Sequence, residues 1–179
     1  MNKKKTKRVY PDLYIDNITT LSLDYLKKNN IKGIIVDMDN TLLNHKTQMK
    51  LKGLEEWVEL MKKNGIKIVI VTNSIKRNNV IRTSKYYDIP YIYAALKPFA
   101  FGINKGKRRL DLKNEEIAVV GDQIFTDILG ANRKNMHSIL VLPIKRKKES
   151  FVTKILRKFE NKIIQNYLKE HKMITKENL

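Results

Sequence analysis

The chain contains no cysteine, which rules out disulfide bridges and every zinc site built on thiolates. It has no apolar run near the ~20 residues that a membrane-spanning helix needs. Its basic first ten residues lead into no apolar segment of signal-peptide type, so a cytoplasmic setting is expected. The three histidines, His45, His137 and His171, show no ligand spacing and read as structural. Internal repeats are absent. Acidic residues are scarce, with 18 against 37 lysines and arginines. What remains is a 179-residue chain, 42% hydrophobic and 31% charged, of a length that fits one domain with a real core.

The net charge of +19 is uneven. Residues 1–10 carry +5 and residues 145–179 carry +7, leaving +7 for the 134 residues between them. Basic ends of this kind are attracted to phosphate-rich surfaces, either anionic lipid or nucleic acid. Twenty-nine of the cations are lysine, so a solvated surface enriched by codon bias accounts for some of the charge without any partner.

The centre of the pattern is Gly33-Ile34-Ile35-Val36-Asp37-Met38-Asp39-Asn40-Thr41, an apolar run that ends abruptly in two carboxylates. It reads as a buried strand over Ile31–Val36 closing at a loop. Alternation along a strand sends residues i and i+2 to one side, so Asp37 and Asp39 can address one site. Crowded carboxylates repel unless a cation or a proton neutralises one of them, and a hard ion such as Mg²⁺ takes oxygen ligands. Further along, helical spacing of Leu51, Leu54, Trp57, Val58 and Met61 is followed by a strand over Ile66–Val71 that ends at Thr72-Asn73-Ser74. A helix over Lys76–Tyr86, a short strand near Tyr91–Ala94 and a helix over Phe99–Leu110 come next. A strand over Glu116–Val120 then ends at Gly121-Asp122-Gln123-Ile124-Phe125-Thr126-Asp127, a helix runs to Asn132, and a last strand covers Ser138–Leu142. A short helix around Leu21, Leu23 and Leu26 precedes them all.

Strands alternating with helices predict an α/β fold, an open and mostly parallel sheet flanked by helices. The expected division is a basic N-terminal arm and short helix (1–30), a core (31–144), and a basic amphipathic C-terminal helix (145–179). Every polar cluster follows a predicted strand, and in an open parallel sheet those carboxyl ends are where ligands bind. The apolar stripe Phe151, Val152, Ile155, Leu156, Phe159, Ile163, Ile164, Tyr167 and Leu168 belongs either to a helix docked on the sheet or to one lying in a membrane interface.

Asp37-Met38-Asp39-Asn40-Thr41, Thr72, Lys97 and the Gly121–Asp127 cluster stand in the order found in the haloacid dehalogenase superfamily of phosphatases. From about Tyr10 to Lys172 the chain resembles the YqeG type of subfamily IIIA, related to the phosphatidylglycerophosphate phosphatases of mitochondria and plastids. Tyr10-Pro11-Asp12, Leu96-Lys97-Pro98 and Gly130-Ala131-Asn132-Arg133 add to the likeness. The resemblance implies a Rossmann-like fold and a Mg²⁺-dependent phosphomonoester hydrolase. It casts Asp37 as nucleophile and Asp39 as general acid and base. Thr72 and Lys97, with Asn73, would hold the phosphoryl group. Asp37, the Met38 carbonyl, Asp122 and Asp127 would serve the metal, with Asn40, Thr41 and Gln123 in support.

Neither the segment between Thr41 and Thr72 nor that between Ser74 and Lys97 has room for a cap domain, so an open site is expected. It suits a phosphate carried on something large, such as phosphatidylglycerophosphate in an anionic membrane. Nucleic-acid ends, nucleotides or phosphoproteins are alternative substrates, although no aromatic–basic nucleic-acid platform is visible. A non-catalytic RNA- or ribosome-binding module on the same fold is a third reading, disfavoured because all four aspartates are present.

Overall fold

The computed structural model describes residues 8–44, 51–95, 100–144 and 151–175, with only the backbone described at 100, 151–155 and 157. Its strands are β1 (Leu13–Ile15), β2 (Gly33–Val36), β3 (Lys67–Val71), β4 (Tyr91–Ile92), β5 (Ile117–Gly121) and β6 (His137–Val141). All pairings are parallel, in the order β1-β6-β5-β2-β3-β4. The helices are α1 (Leu23–Lys28), α2 (Leu54–Lys63), α3 (Arg77–Tyr87), α4 (Ala100–Leu110), α5 (Leu129–Arg133) and α6 (Phe151–Glu170). This is the open α/β sheet that the alternating pattern predicts. Among the described residues, each of the two places where a cap could be inserted holds a single helix.

Because both faces of the sheet are covered, the central strands are apolar on both sides. Ile34, Val36, Ile68 and Ile70 point to one face and meet Leu54, Trp57 and Met61 of α2 and Val80 of α3. Ile35, Val69, Val71 and Val119 point to the other, against Ile103 and Leu110 of α4 and Ala131 of α5. Helix α4 approaches closely because Gly106 faces Ile35 and Val71, where a Cβ would stand 3.0 Å from each side chain. Helix α2 has Glu55 and Glu56 in its first turn and Lys62 and Lys63 in its last, complementing the helix dipole. It stops at Asn64, before Gly65 at φ 76°. Trp57 is core, as expected, and its Nε1 donates to the Leu21 carbonyl at 2.9 Å.

Two features depart from the sequence reading. Strand β1 lies in a segment expected to hold only a turn and a short helix; three residues are too few to show a period. It is fixed from both sides. The Asp12 carboxylate accepts the Ser138 N–H at 2.9 Å and the Ser138 hydroxyl at 3.0 Å. The Asn132 amide donates to the Arg8 and Tyr10 carbonyls at 2.7 and 2.9 Å. Helix α6 packs its Tyr167 among Tyr14, Ile124, Ile128 and Leu140, and beyond it Ile174 bridges Ile15. The docked face of α6 runs through Glu160, Ile163, Ile164 and Tyr167, while Leu156, Phe159 and Leu168 of the expected stripe are exposed. Among the described residues, no helix is long and apolar enough to cross a membrane.

Candidate active site

Three adjacent strands place the site. Val36 of β2 is in register with Ile70 of β3 and with Val120 of β5. Asp37, Thr72 and Asp122 are the first residues beyond β2, β3 and β5. The Asp37 N–H still donates to the Val120 carbonyl, at 2.9 Å, although β2 proper ends at Val36. Asp37, Thr72 and Asp122 are all buried. The sheet thus gathers residues separated by up to 85 positions along one rim.

Strand alternation does not carry Asp39 to this rim. Past Asp37 the chain turns: the Leu42 and Leu43 N–H groups both donate to the Met38 carbonyl, at 3.0 and 3.2 Å. Asp39 forms a bridge with Leu43, and Asn40 takes a left-handed φ of 65°, which asparagine tolerates better than most residues. The turn, not the pleat, sets where Asp39 points, and Asp39 is half-buried at its edge. The Met38 carbonyl, expected as a metal ligand, is thus the acceptor that closes this turn.

Asn40 and Thr41 are buried, and the Asn40 Oδ1 and Thr41 Oγ1 have no hydrogen-bond partner among the described residues. The Asn40 backbone closes the loop, donating to the Leu43 carbonyl at 2.7 Å and accepting from the Ile144 N–H at 3.0 Å. The Thr72 hydroxyl accepts the Ser74 N–H at 3.1 Å, which orients its proton for donation elsewhere. Asn73 is exposed. Lys97 and His45 lie outside the described residues.

The loop after β5 is built around Asp127, whose Oδ2 accepts the Gln123 N–H at 3.2 Å. Gly121 is required there: a Cβ at that position would collide with the Asp127 carboxyl. A π-helical turn, Ile124–Ile128, leads from this loop into α5. Glu160 of α6, which is buried, accepts the Phe125 N–H at 3.2 Å and so ties the C-terminal helix to the Asp122 loop. Neither Gly121 nor Glu160 was singled out from sequence. A signal for Glu160 exists: an acid four residues after Leu156 and three before Ile163 sits on the apolar side of its helix.

The donor set fits a hard divalent ion. Asp37 and Asp122 are buried and directly follow the adjacent strands β2 and β5. No group of three acidic, histidine or cysteine side chains is close enough to make an all-protein cage among the described residues. Mg²⁺ does not need one, because it is held by one or two carboxylates and completes its shell with water and substrate phosphate.

Comparison with known proteins narrows the chemistry. Residues 3–89 match the family model for mitochondrial PGP phosphatase, and residues 95–161 match a HAD-hydrolase-like model. The probable phosphatase YqeG of Bacillus subtilis is 41% identical over 154 residues, covering 86% of this chain and 88% of its own. The chain belongs to the YqeG type of the haloacid dehalogenase phosphatases. Phosphatidylglycerophosphate phosphatase 1 of Arabidopsis thaliana is 23% identical over 93% of this chain and 50% of its own. The fold is shared with an uncharacterised protein of Listeria monocytogenes (TM-score 0.53, 19% identity, 79% of this chain and 100% of that one). It is also shared with the cobalt-bound deoxy-D-mannose-octulosonate 8-phosphate phosphatase of Haemophilus influenzae (TM-score 0.52, 14% identity, 79% and 91%). As a member of the YqeG type the chain is a phosphatase.

Proposed function

We propose that the protein hydrolyses a phosphomonoester through an aspartyl-phosphate on Asp37, with Mg²⁺ as cofactor, and that phosphatidylglycerophosphate is its substrate. The observation that carries the reading is the convergence of Asp37, Asp122 and Thr72 at the ends of three adjacent parallel strands. An Asp37 oxygen attacks phosphorus as the bond to the leaving oxygen breaks, and Asp39 passes its proton to that oxygen. Asp39 then takes a proton from water, whose oxygen attacks the same phosphorus and releases inorganic phosphate and free Asp37. The Thr72 hydroxyl donates to a phosphoryl oxygen, and Lys97 supplies a positive charge to the group. Asp37 and Asp122 hold the metal, with Asp127 bracing their loop; the metal supplies charge neutralisation of the phosphoryl oxygens. Asn40 and Thr41 shape the turn that carries Asp39.

The lipid substrate is supported by the match to the PGP phosphatase model, by the name of the Arabidopsis relative, and by the capless site and basic ends. Release of inorganic phosphate measured across a panel tests both levels. Phosphatidylglycerophosphate should be hydrolysed well ahead of RNA or DNA 5′ ends, with activity lost to a chelator and restored by Mg²⁺. Asp37→Asn should lower the rate at least ~10³-fold while the protein stays folded. Equal or faster hydrolysis of nucleic-acid ends would refute the lipid assignment.

A further inference from the structure

The positive charge of the middle of the chain is not spread out. Residues 73–110 hold nine cations and one acid, Asp88, a net +8 that exceeds the whole excess of residues 11–144. In the fold the described part of this segment, which holds all of these cations but Lys97, runs from the end of β3 through α3 and β4 to α4, so that charge lies toward the β3–β4 side of the sheet. The same side exposes large apolar side chains. Ile75 is 83% exposed, Phe101 52% and Tyr93 41%.

These side chains sit at the mouth of the site. Thr72 is hydrogen-bonded to β4, its N–H to the Ile92 carbonyl at 3.0 Å and its carbonyl to the Ala95 N–H at 3.0 Å. Two residues on from Thr72, the Ser74 carbonyl accepts the Ala94 N–H at 3.2 Å, which places Ile75 beside the end of β4. On α4, Gly102 lies against Ala95, and Phe101 precedes it. The exposed aromatics are paired with cations: the Arg77 guanidinium is 5.8 Å from the Tyr93 ring centre, and the Lys105 ammonium is 4.1 Å from that of Phe101. Below them a cleft of about 710 Å³ is lined by Tyr91, Tyr93, Lys105, Arg108 and Arg109.

Exposed apolar tips beside cations make an interfacial surface: the rings and Ile75 enter the acyl boundary while arginine and lysine stay at headgroup level. We propose that the rim formed by Ile75, Tyr93 and Phe101, with Arg77 and Lys105 beside it, docks on an anionic phospholipid bilayer and turns the mouth of the site toward the lipid. Charge complementarity selects the bilayer as occupant, because each cation near an anionic surface strengthens adsorption and no acid on α3 or α4 opposes it. The inference rests on the hydrolytic site proposed above only for the direction the mouth faces.

Sedimentation of the full chain with vesicles of phosphatidylglycerol and phosphatidylcholine, compared with phosphatidylcholine alone, tests it. The parent should partition to the anionic vesicles in a salt-sensitive manner. The pair Ile75→Ser and Phe101→Ser should weaken partitioning roughly tenfold, and Arg77→Gln with Lys105→Gln should do so with a shallower salt dependence. Turnover of a soluble phosphomonoester and the thermal midpoint should be unchanged in both pairs. Partitioning of the variants equal to that of the parent, no partitioning of the parent, or a parent dimer that the variants abolish would each overturn the proposal. Failure to turn over the soluble ester would instead refute the hydrolytic reading and leave the vesicle result standing on its own.

Discussion

Gly121 shows how a residue without a side chain can be part of a site. Its Cα leaves the only room for the Asp127 carboxyl, which in turn accepts the Gln123 N–H and holds the turn after Asp122. Gly121→Ala has no flexible tip to push aside, so a loss of about 1–3 kcal/mol is expected, with weaker Mg²⁺ dependence; thermal unfolding and a Mg²⁺ titration of turnover check it. Tyr25 carries a prediction about pH. Its hydroxyl lies 2.7 Å from the His137 Nε2, and burial, followed by the charge of Asp12, raises its pKa above the ordinary value of 10.0. A raised folded pKa favours the protonated form, so this stabilisation is whole below pH 10.0 and lost as the pH rises beyond it. Denaturant midpoints from pH 8 to 11 should fall at the alkaline end, and Tyr25→Phe should flatten that fall. The strand-end acids were legible in the sequence because each closes an apolar run. Gly121 was not read as a constraint, since the collision it avoids is with a residue six positions away that only the π-helical turn brings back.

At the scale of elements, the central strands and α2, α3 and α4 were readable because burial on both faces gives long apolar runs and clear helical spacing. Strand β1 was not, and the reason is physical: its pairing is bought by side chains elsewhere, Asp12 to Ser138 and Asn132 to the carbonyls of Arg8 and Tyr10. The Tyr10-Pro11-Asp12 and Gly130–Arg133 stretches that support the family likeness are therefore staples of one edge of the sheet. Helix α6 is docked through Tyr167 and Glu160, while three apolar residues of its stripe face outward. Periodicity identifies such a helix but does not say which arc of it is covered. Glu160→Ala should remove the acceptor of the Phe125 N–H and cost about 1–3 kcal/mol. It should also loosen the loop that carries Asp122. Thermal unfolding together with the apparent affinity for Mg²⁺ separates this from a helix that merely rests on the core, for which only stability would change.

For the molecule as a whole, the fold brings its acids to the carboxyl ends of β2 and β5 and the cationic helices α3 and α4 to the side of the sheet at β3 and β4, next to the same rim. On the proposed reading an anionic substrate meets positive charge first and then the two carboxylates, which a divalent ion would neutralise. The absence of room for a cap leaves that approach open from one side. All of this depends on Asp37 being the atom donor to phosphorus. Acid quenching during turnover, followed by peptide mapping of the trapped phosphoryl group, tests it most directly. The phosphoryl group should be found on Asp37 and be missing from Asp37→Asn; a turning-over enzyme that carries it on another residue, or on none, would contradict the account.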